Sequence, residues 1–451
     1  MERLELSAEL ALDILKQAKQ KGATAGDVMM AESDSSFVSV RLGDVDKVSQ
    51  AQEKRLGLRL FFGASSASAS TSDISAGAIG RLVDDTCALA RATAKDEYSG
   101  LPAPEALAKE LPDLDLDDGQ NRAVSVDDKI RLALAAEKAA LDFDPRITNS
   151  EGGEFSASAA RVLYANSHGF TGEYRGSSYG VSVAPVASSN GAMQRDYWYS
   201  SQRKFARLET PEAVGRRAAE RALRRLGARK VKTRECPVVF DPEISANLLR
   251  HLSSALSGYA LYKGASFLVG ELGEKIASEN VTIVDDGTIP GALGSKPFDG
   301  EGLLTVKKTI VDRGVLRSYL LDTYSGKKMK LSSTGNASRG IGDSPGVGPL
   351  NFYLAAGPHA PGEIVASVED GFYVTELMGF GVNLVTGDYS RGAAGIWIEK
   401  GKLAYPVEEV TIAGNLKEML ANIEMVGRDL EFRGRIAAPT LKLSRMTVAG
   451  N

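Results

Sequence analysis

Cysteine and histidine are scarce in this chain. The two cysteines, Cys87 and Cys236, stand far apart, which excludes a disulfide framework and a cysteine-built zinc cluster and points to a reducing, cytoplasmic setting. Long apolar runs are missing as well. Nothing approaches the ~20 residues that span a bilayer, and the opening MERLELSAELALDILKQ interleaves charge where a secretion signal is continuously apolar. Charge of one sign is not in excess either: a formal net charge of -4 gives no reason to expect nucleic acid as a partner.

The usual chemical signatures are absent or broken. No G-x-x-x-x-G-K-[ST] occurs; the glycine-rich run 340–348 places Pro345, and the run 374–395 places Leu384, where a dinucleotide loop needs its third glycine. Gly342-Asp343-Ser344-Pro345-Gly346 matches G-x-S-x-G in letters only. The residue after a nucleophilic serine must offer its backbone N–H to an oxyanion, and proline has none. Ser325-x-x-Lys328 lacks the companion motifs that would give it meaning.

Of the three histidines, His168 and His359 sit beside glycine or proline in loop-like sequence, and none has another at helical ligand spacing, so a metal centre finds no support in spacing. His251 lies in the stretch NLLRHLSSALSG (247–258), on a helix that opens at Asp241-Pro242. The apolar stripe there is Ile244, Leu248, Leu252, Ala255 and Leu256, and His251 falls at its edge, the place of a satisfied histidine flanking a core.

What is present is a mixed α+β pattern in a chain long enough for two domains. A helix over 7–22, capped by Ser7 and stopped by Gly22, precedes four strand-like pieces and a second helix over 76–94. The order then recurs: helix 126–142, further strands, helix 210–226. This predicts a duplicated helix and antiparallel-sheet unit (1–96 and 121–230) within an N-terminal domain 1–233. Between the copies, 97–120 carries three prolines and the acids Asp113, Asp115, Asp117 and Asp118; it lacks the glycine and glutamate of a calcium loop and reads as a solvated linker. The segment 203–234 has twelve Lys/Arg against three Glu, without interleaved aromatics through its helix, and reads as a solvated helix face rather than a nucleic-acid stripe. From 234 to 451, glycine-punctuated strands predict a mainly antiparallel β domain with a few helices, including hairpins that turn at Asp312-Arg313-Gly314 and Glu399-Lys400-Gly401.

The run VTELMGFGVNLVTGDYSRGAAGIWIEKGKLAYPVEEVTIAGNL (374–416) closely resembles the TldD/PmbA family, the modulators of DNA gyrase. The segments 263–287 and 296–340 and the terminal MTVAGN support it, and TGDYSRGAAG is similar to the PmbA/TldE branch. The resemblance implies a two-subunit zinc metalloprotease that acts on unfolded or small peptides. One subunit, TldD, holds zinc on an H-E-x-x-x-H helix with a distant cysteine; the other, TldE, shares the fold without those ligands. Anchored on Lys263-Gly264, the resemblance puts the two ligand positions on Leu249 and Ser254 and the base position on Arg250, and no cysteine follows Cys236. It therefore implies no catalytic residue and no metal in this chain, with zinc in a TldD-like partner. Asp388, Tyr389, Ser390 and Arg391 are candidates for peptide or partner contacts, set against a plain structural turn. Two alternatives stand beside it: a homodimeric binding protein of the gyrase-modulator type, and a self-sufficient metallopeptidase with an unrecognised metal site.

Overall fold

The computed structural model describes residues 4–120 and 124–450 and shows the expected α+β architecture. Its first half holds helices α1 (Ala8–Gln20), α2 (Ala76–Ala92), α3 (Val126–Leu141) and α4 (Pro211–Leu223). The strands are β1 (Ala25–Arg41), β2 (Asp44–Phe62), β3 (Ser65–Thr71), β4 (Ile147–Asn166), β5 (Thr171–Ser189), β6 (Ala192–Arg195) and β7 (Trp198–Gln202). The helix starts follow from capping. Ser7 Oγ accepts from Leu10 N–H, Ser125 and Asp128 form a reciprocal capping box, and Thr210 precedes Pro211, whose missing N–H is harmless in a first turn.

All seven strands form one sheet in the order β3-β2-β1-β4-β5-β6, with β7 also on β5. The two helix-and-strand units meet where β1 pairs with β4, from Asp27 opposite Asn166 to Val40 opposite Gly153. Helices α1 and α2 cover one end of the sheet over Val28, Met30, Leu58 and Leu163, while α3 and α4 cover the other over Val38, Phe155, Tyr179 and Val181. The separate strand pieces expected before residue 62 are in fact two long strands. The polar run Glu32–Ser36, which breaks the apolar alternation, is paired on both sides by β2 and β4 and carries the chain from one core to the other.

Residues 97–120 are not a solvated linker. Leu101, Leu107, Leu114 and Leu116 are buried, Leu114 O accepts from Gly291 N–H, and Asp115 pairs with Lys204 at 2.6 Å. The basic segment is solvated at Arg207, Arg216, Arg229, Lys230, Lys232 and Arg234, while other side chains are engaged by the fold. Arg203 donates to the carbonyls of Ser177 and Leu293, Arg221 pairs with Asp196, and Arg217 lies 4.0 Å over the ring of Trp198.

The second half opens with β8 (Arg234–Phe240), α5 (Pro242–Ala255), α6 (Gly258–Tyr262), β9 (Ile283–Asp286), β10 (Lys307–Asp312) and β11 (Val315–Leu316). It continues with α7 (Thr323–Met329), β12 (Ala337–Ser338), β13 (Gly346–Val347), β14 (Asn351–Leu354) and α8 (Pro361–Ala366). Then come β15 (Asp370–Met378), β16 (Asp388–Glu399), β17 (Lys402–Asn415), α9 (Leu416–Ala421), β18 (Ile423–Val426), β19 (Ile436–Ala437) and β20 (Leu441–Ala449). The larger sheet runs β17-β16-β15-β8-β20-β18, and β20 pairs with β17 as well as β8, closing the sheet on itself. A second sheet, β11-β10-β9-β14-β19, lies beside it. The apolar face of α5 (Ile244, Leu248, Leu249, Leu252, Ala255) joins Val238, Phe240, Phe372 and Val374 in one core. No helix among the described residues is long and apolar enough to cross a membrane.

The halves touch closely where β2 meets the loop 340–346. A Cβ built on Gly57 would lie 2.3 Å from Gly342 N. Gly57→Val is therefore expected to force the halves apart, costing about 1–3 kcal/mol by overpacking; a shifted urea midpoint would show it, and an unchanged midpoint would mean that the loop moves aside freely.

Candidate functional site

Of the expected site residues, Tyr389 and Arg391 on β16 are brought together, beside His251 of helix α5. Along β16 side chains alternate between faces, so Tyr389 and Arg391 turn inward and are buried, while Asp388 and Ser390 are exposed. The four residues begin a strand rather than forming a turn. Asp388 engages Thr386 Oγ1 at 2.6 Å, on the outer side. Arg391 donates from Nε to Met378 O at 3.1 Å, and from Nη1 to Asn247 Oδ1 at 3.4 Å and to His251 Nε2 at 3.5 Å. The His251 ring stands edge-on to Tyr389, with 6.3 Å between centroids. Burial, then the Arg391 and Arg250 charges, push the imidazole below its ordinary range and keep it neutral. Burial lifts the Tyr389 phenol to about 12, and its Oη has no hydrogen-bond partner among the described residues.

The positions aligned with a zinc helix are not gathered into a set. Leu249 is inside the core, whereas Arg250 and Ser254 are exposed, and Ser254 Oγ donates to the Arg250 carbonyl. A hydrocarbon, a guanidinium and a hydroxyl are a poor donor set for zinc, and guanidinium cannot serve as a general base. Among the described residues no group of three or more His, Cys, Asp or Glu side chains is placed to hold a metal ion. Cys236 is buried, and that burial pushes its thiol up to about 12, far from the thiolate a metal needs. These residues do not fit zinc.

A second feature escaped sequence reasoning. Between the halves lies a cavity of about 760 Å³ lined by Tyr98, Tyr259, Tyr262, Tyr324, Glu301 and Asp322, among others. The Lys328 ammonium lies 4.0 Å over the Tyr98 ring, and Ser325 is occupied by the capping box with Asp322 that starts α7. That settles the Ser325-x-x-Lys328 pattern as structural. At the cavity floor Arg59 Nε donates to Asp27 at 2.9 Å and Arg339 Nη2 donates to Asp27 at 2.8 Å, while Glu301 lies 3.8 Å from Arg59. Burial would raise the Asp27 carboxyl, but Arg339 and Arg59 outweigh it and hold it below the usual range. Glu301 goes the other way: burial pushes its carboxyl up to about 7 despite Arg59. The signal in the sequence was the alternation Asp299-Gly300-Glu301-Gly302, where Asp299 accepts the N–H groups of Glu301 and Leu303.

Comparison with known proteins places this arrangement. Models of the PmbA/TldA metallopeptidase match as domain 1 over residues 26–90, central domain over 119–226 and C-terminal domain over 233–450. The metalloprotease PmbA of Escherichia coli O157:H7 is 39% identical over 447 residues, 99% of this chain and 96% of that one. This chain belongs to the PmbA/TldD family. A PmbA homologue of Haemophilus influenzae is 36% identical over 98% of this chain and 96% of its own. The same fold is found in a Bacteroides thetaiotaomicron protein described as a modulator of DNA gyrase (TM-score 0.91, 32% identity, 99% of this chain and 100% of that one). TldE of Thermococcus kodakarensis shares it at TM-score 0.88 and 22% identity, covering 97% of this chain and 99% of that one. Within this PmbA/TldD-family chain the guanidinium of Arg391 lies against α5, the helix that carries Leu249, Arg250 and Ser254.

Proposed function

We propose that the chain is a non-catalytic, PmbA/TldE-like subunit of a cytoplasmic metalloprotease complex, paired with a TldD-like chain that carries the zinc and cleaves unfolded or small peptides. The observation that carries this reading is the donor set on α5: Leu249, Arg250 and Ser254 in a metallopeptidase-family chain with no cysteine after Cys236. Its work is then to complete the complex and help hold an extended peptide. Strand β2 supports the second task, since β3 pairs only with Leu56–Phe62 and leaves the exposed outer edge of Asp44–Arg55 without a strand partner among the described residues. Such an edge grips mixed sequences through main-chain hydrogen bonds.

The test is cleavage of an unstructured fluorogenic peptide by this chain, by a TldD-like chain and by their mixture. Only the mixture is expected to cleave, in a chelator-sensitive manner. Chelator-sensitive cleavage by this chain alone would overturn the reading in favour of a self-sufficient metallopeptidase. The likeness to the Bacteroides protein described as a gyrase modulator favours a second reading, a homodimeric binding protein. Under it, size-exclusion chromatography would show a stable homodimer that ignores the TldD-like chain.

A further inference from the structure

Arg391 is a charge without a counter-charge. Only 8% of the residue is exposed, yet no carboxylate among the described residues lies within 4 Å of its guanidinium, and Nη2 has no hydrogen-bond partner there. Most other inward-facing arginines of this chain are served differently, Arg224 excepted, whose Nε and Nη2 also lack partners among the described residues. Arg59 and Arg339 share Asp27, and Arg221 has Asp196. Arg203, which lacks an acid, instead receives the carbonyls of Ser177, Ala292 and Leu293. Arg391 has one carbonyl, one side-chain amide and a neutral imidazole. Nearby acids are committed elsewhere: Asp388 to Thr386, Glu376 to Arg225, and Asp241 to the start of α5 and to Tyr373. Taking a cation out of water without an anion costs several kcal/mol, a cost that a ligand carrying the anion would remove.

The surroundings suit such a ligand. Tyr389 Oη, buried and unpartnered, lies two residues away on the same face of β16. The loop 378–387 folds back beside them, with Met378 O on Arg391 and Gly381 O accepting from Ser390 N–H. Between these anchors Phe380 is fully exposed and Met378 is 44% exposed, an apolar lip next to a guanidinium. We propose that Arg391, with Tyr389, is a receptor for the terminal carboxylate of a bound peptide, whose last side chain rests on Met378 and Phe380. This rests on the peptide-holding part of the reading above and is independent of pairing with a TldD-like chain. The unpartnered Nη2 and a carboxylate make a charge-assisted hydrogen bond, stronger than the one a neutral carboxamide can accept.

The experiment measures fluorescence anisotropy of one labelled unstructured peptide in two forms, with a free terminal carboxylate and with a terminal carboxamide, against the full chain alone and in mixture with a TldD-like chain. The acid is expected to bind about tenfold more tightly than the amide, of the order of a hydrogen bond to a charged group. Arg391→Met is expected to reduce that ratio to about one and Arg391→Lys to recover part of it. Should Arg391→Met fail to fold, Tyr389→Phe, which removes only the hydroxyl, should still narrow the ratio. Equal binding of acid and amide by the wild type overturns the proposal, as does a ratio that survives Arg391→Met, or absence of binding to this chain in either setting. Loss of association with the TldD-like chain in Arg391→Met, with an unchanged acid-to-amide ratio, would assign Arg391 to an acidic side chain of the partner instead. Because the ratio is read on this chain alone as well, a silent mixture in the cleavage assay would not alter it.

Discussion

Asp27→Ala is expected to destabilise the protein by about 3–5 kcal/mol, the cost of leaving a buried ionic network without its anion. Asp27 is 1% exposed and is the carboxylate shared by Arg59 from β2 and Arg339 from the second half, with Tyr164 Oη at 3.4 Å. Removing it strands two guanidinium groups at the junction and leaves Glu301, 3.8 Å from Arg59, as the nearest replacement. Denaturant titration followed by far-UV circular dichroism would measure the loss. Replacing Asp27, Arg59 and Arg339 together by apolar residues should recover much of it, because the network's contribution lies mostly in mutual compensation. A cost below about 1 kcal/mol for Asp27→Ala would mean that water enters the junction and solvates the arginines.

Glu301→Gln should act in the opposite direction, by an amount that grows as pH rises from about 4.5 to about 7. In the folded chain burial keeps the Glu301 proton up to about pH 7, against 4.5 for an ordinary glutamate. Between those values the native state binds more protons than the unfolded one, so stability falls as pH rises through this window, and the loss is complete above pH 7. Glutamine keeps the shape and can still accept from Thr323 N–H, as Glu301 Oε2 does, but it cannot ionise. The variant should match the wild type near pH 4 and exceed it by up to about 3 kcal/mol at pH 8. An equal difference at both values would show that Glu301 ionises outside this range.

Local features were legible in the sequence because local chemistry decides them. Ser7, Ser125 and Thr210 start their helices by accepting N–H groups close by, and the turns at Arg313-Gly314 and Lys400-Gly401 take positive φ where glycine follows a charged residue. The family was legible for the same reason, since its motifs are continuous. Pairings at long range were not. Nothing in DVMMAES or EFSASAARVLYANS announces that β1 and β4 lie side by side. His251 and Arg391, 140 residues apart, meet only through the packing of α5 on the sheet. The polar run Glu32–Ser36 read as a break because it faces no apolar layer, although its backbone is fully laddered. The acids of 97–120 suggested solvent because the four leucines that pin that segment are spaced too irregularly to form a stripe.

The double pairing of β20 has a consequence for how the chain is made. Residues 441–449 complete the ladder between β8, some 200 positions upstream, and β17, and a Cβ on Gly450 would lie 1.7 Å from Val231 O. During translation β8 therefore leaves the ribosome with both sides open, gains β15 first, and waits for nearly half the chain before β20 arrives. The first half, whose seven strands pair among themselves, has no such wait. The unfinished β8 edge is where a chaperone would bind a nascent chain, and a truncation at residue 440 should leave the second half unable to close.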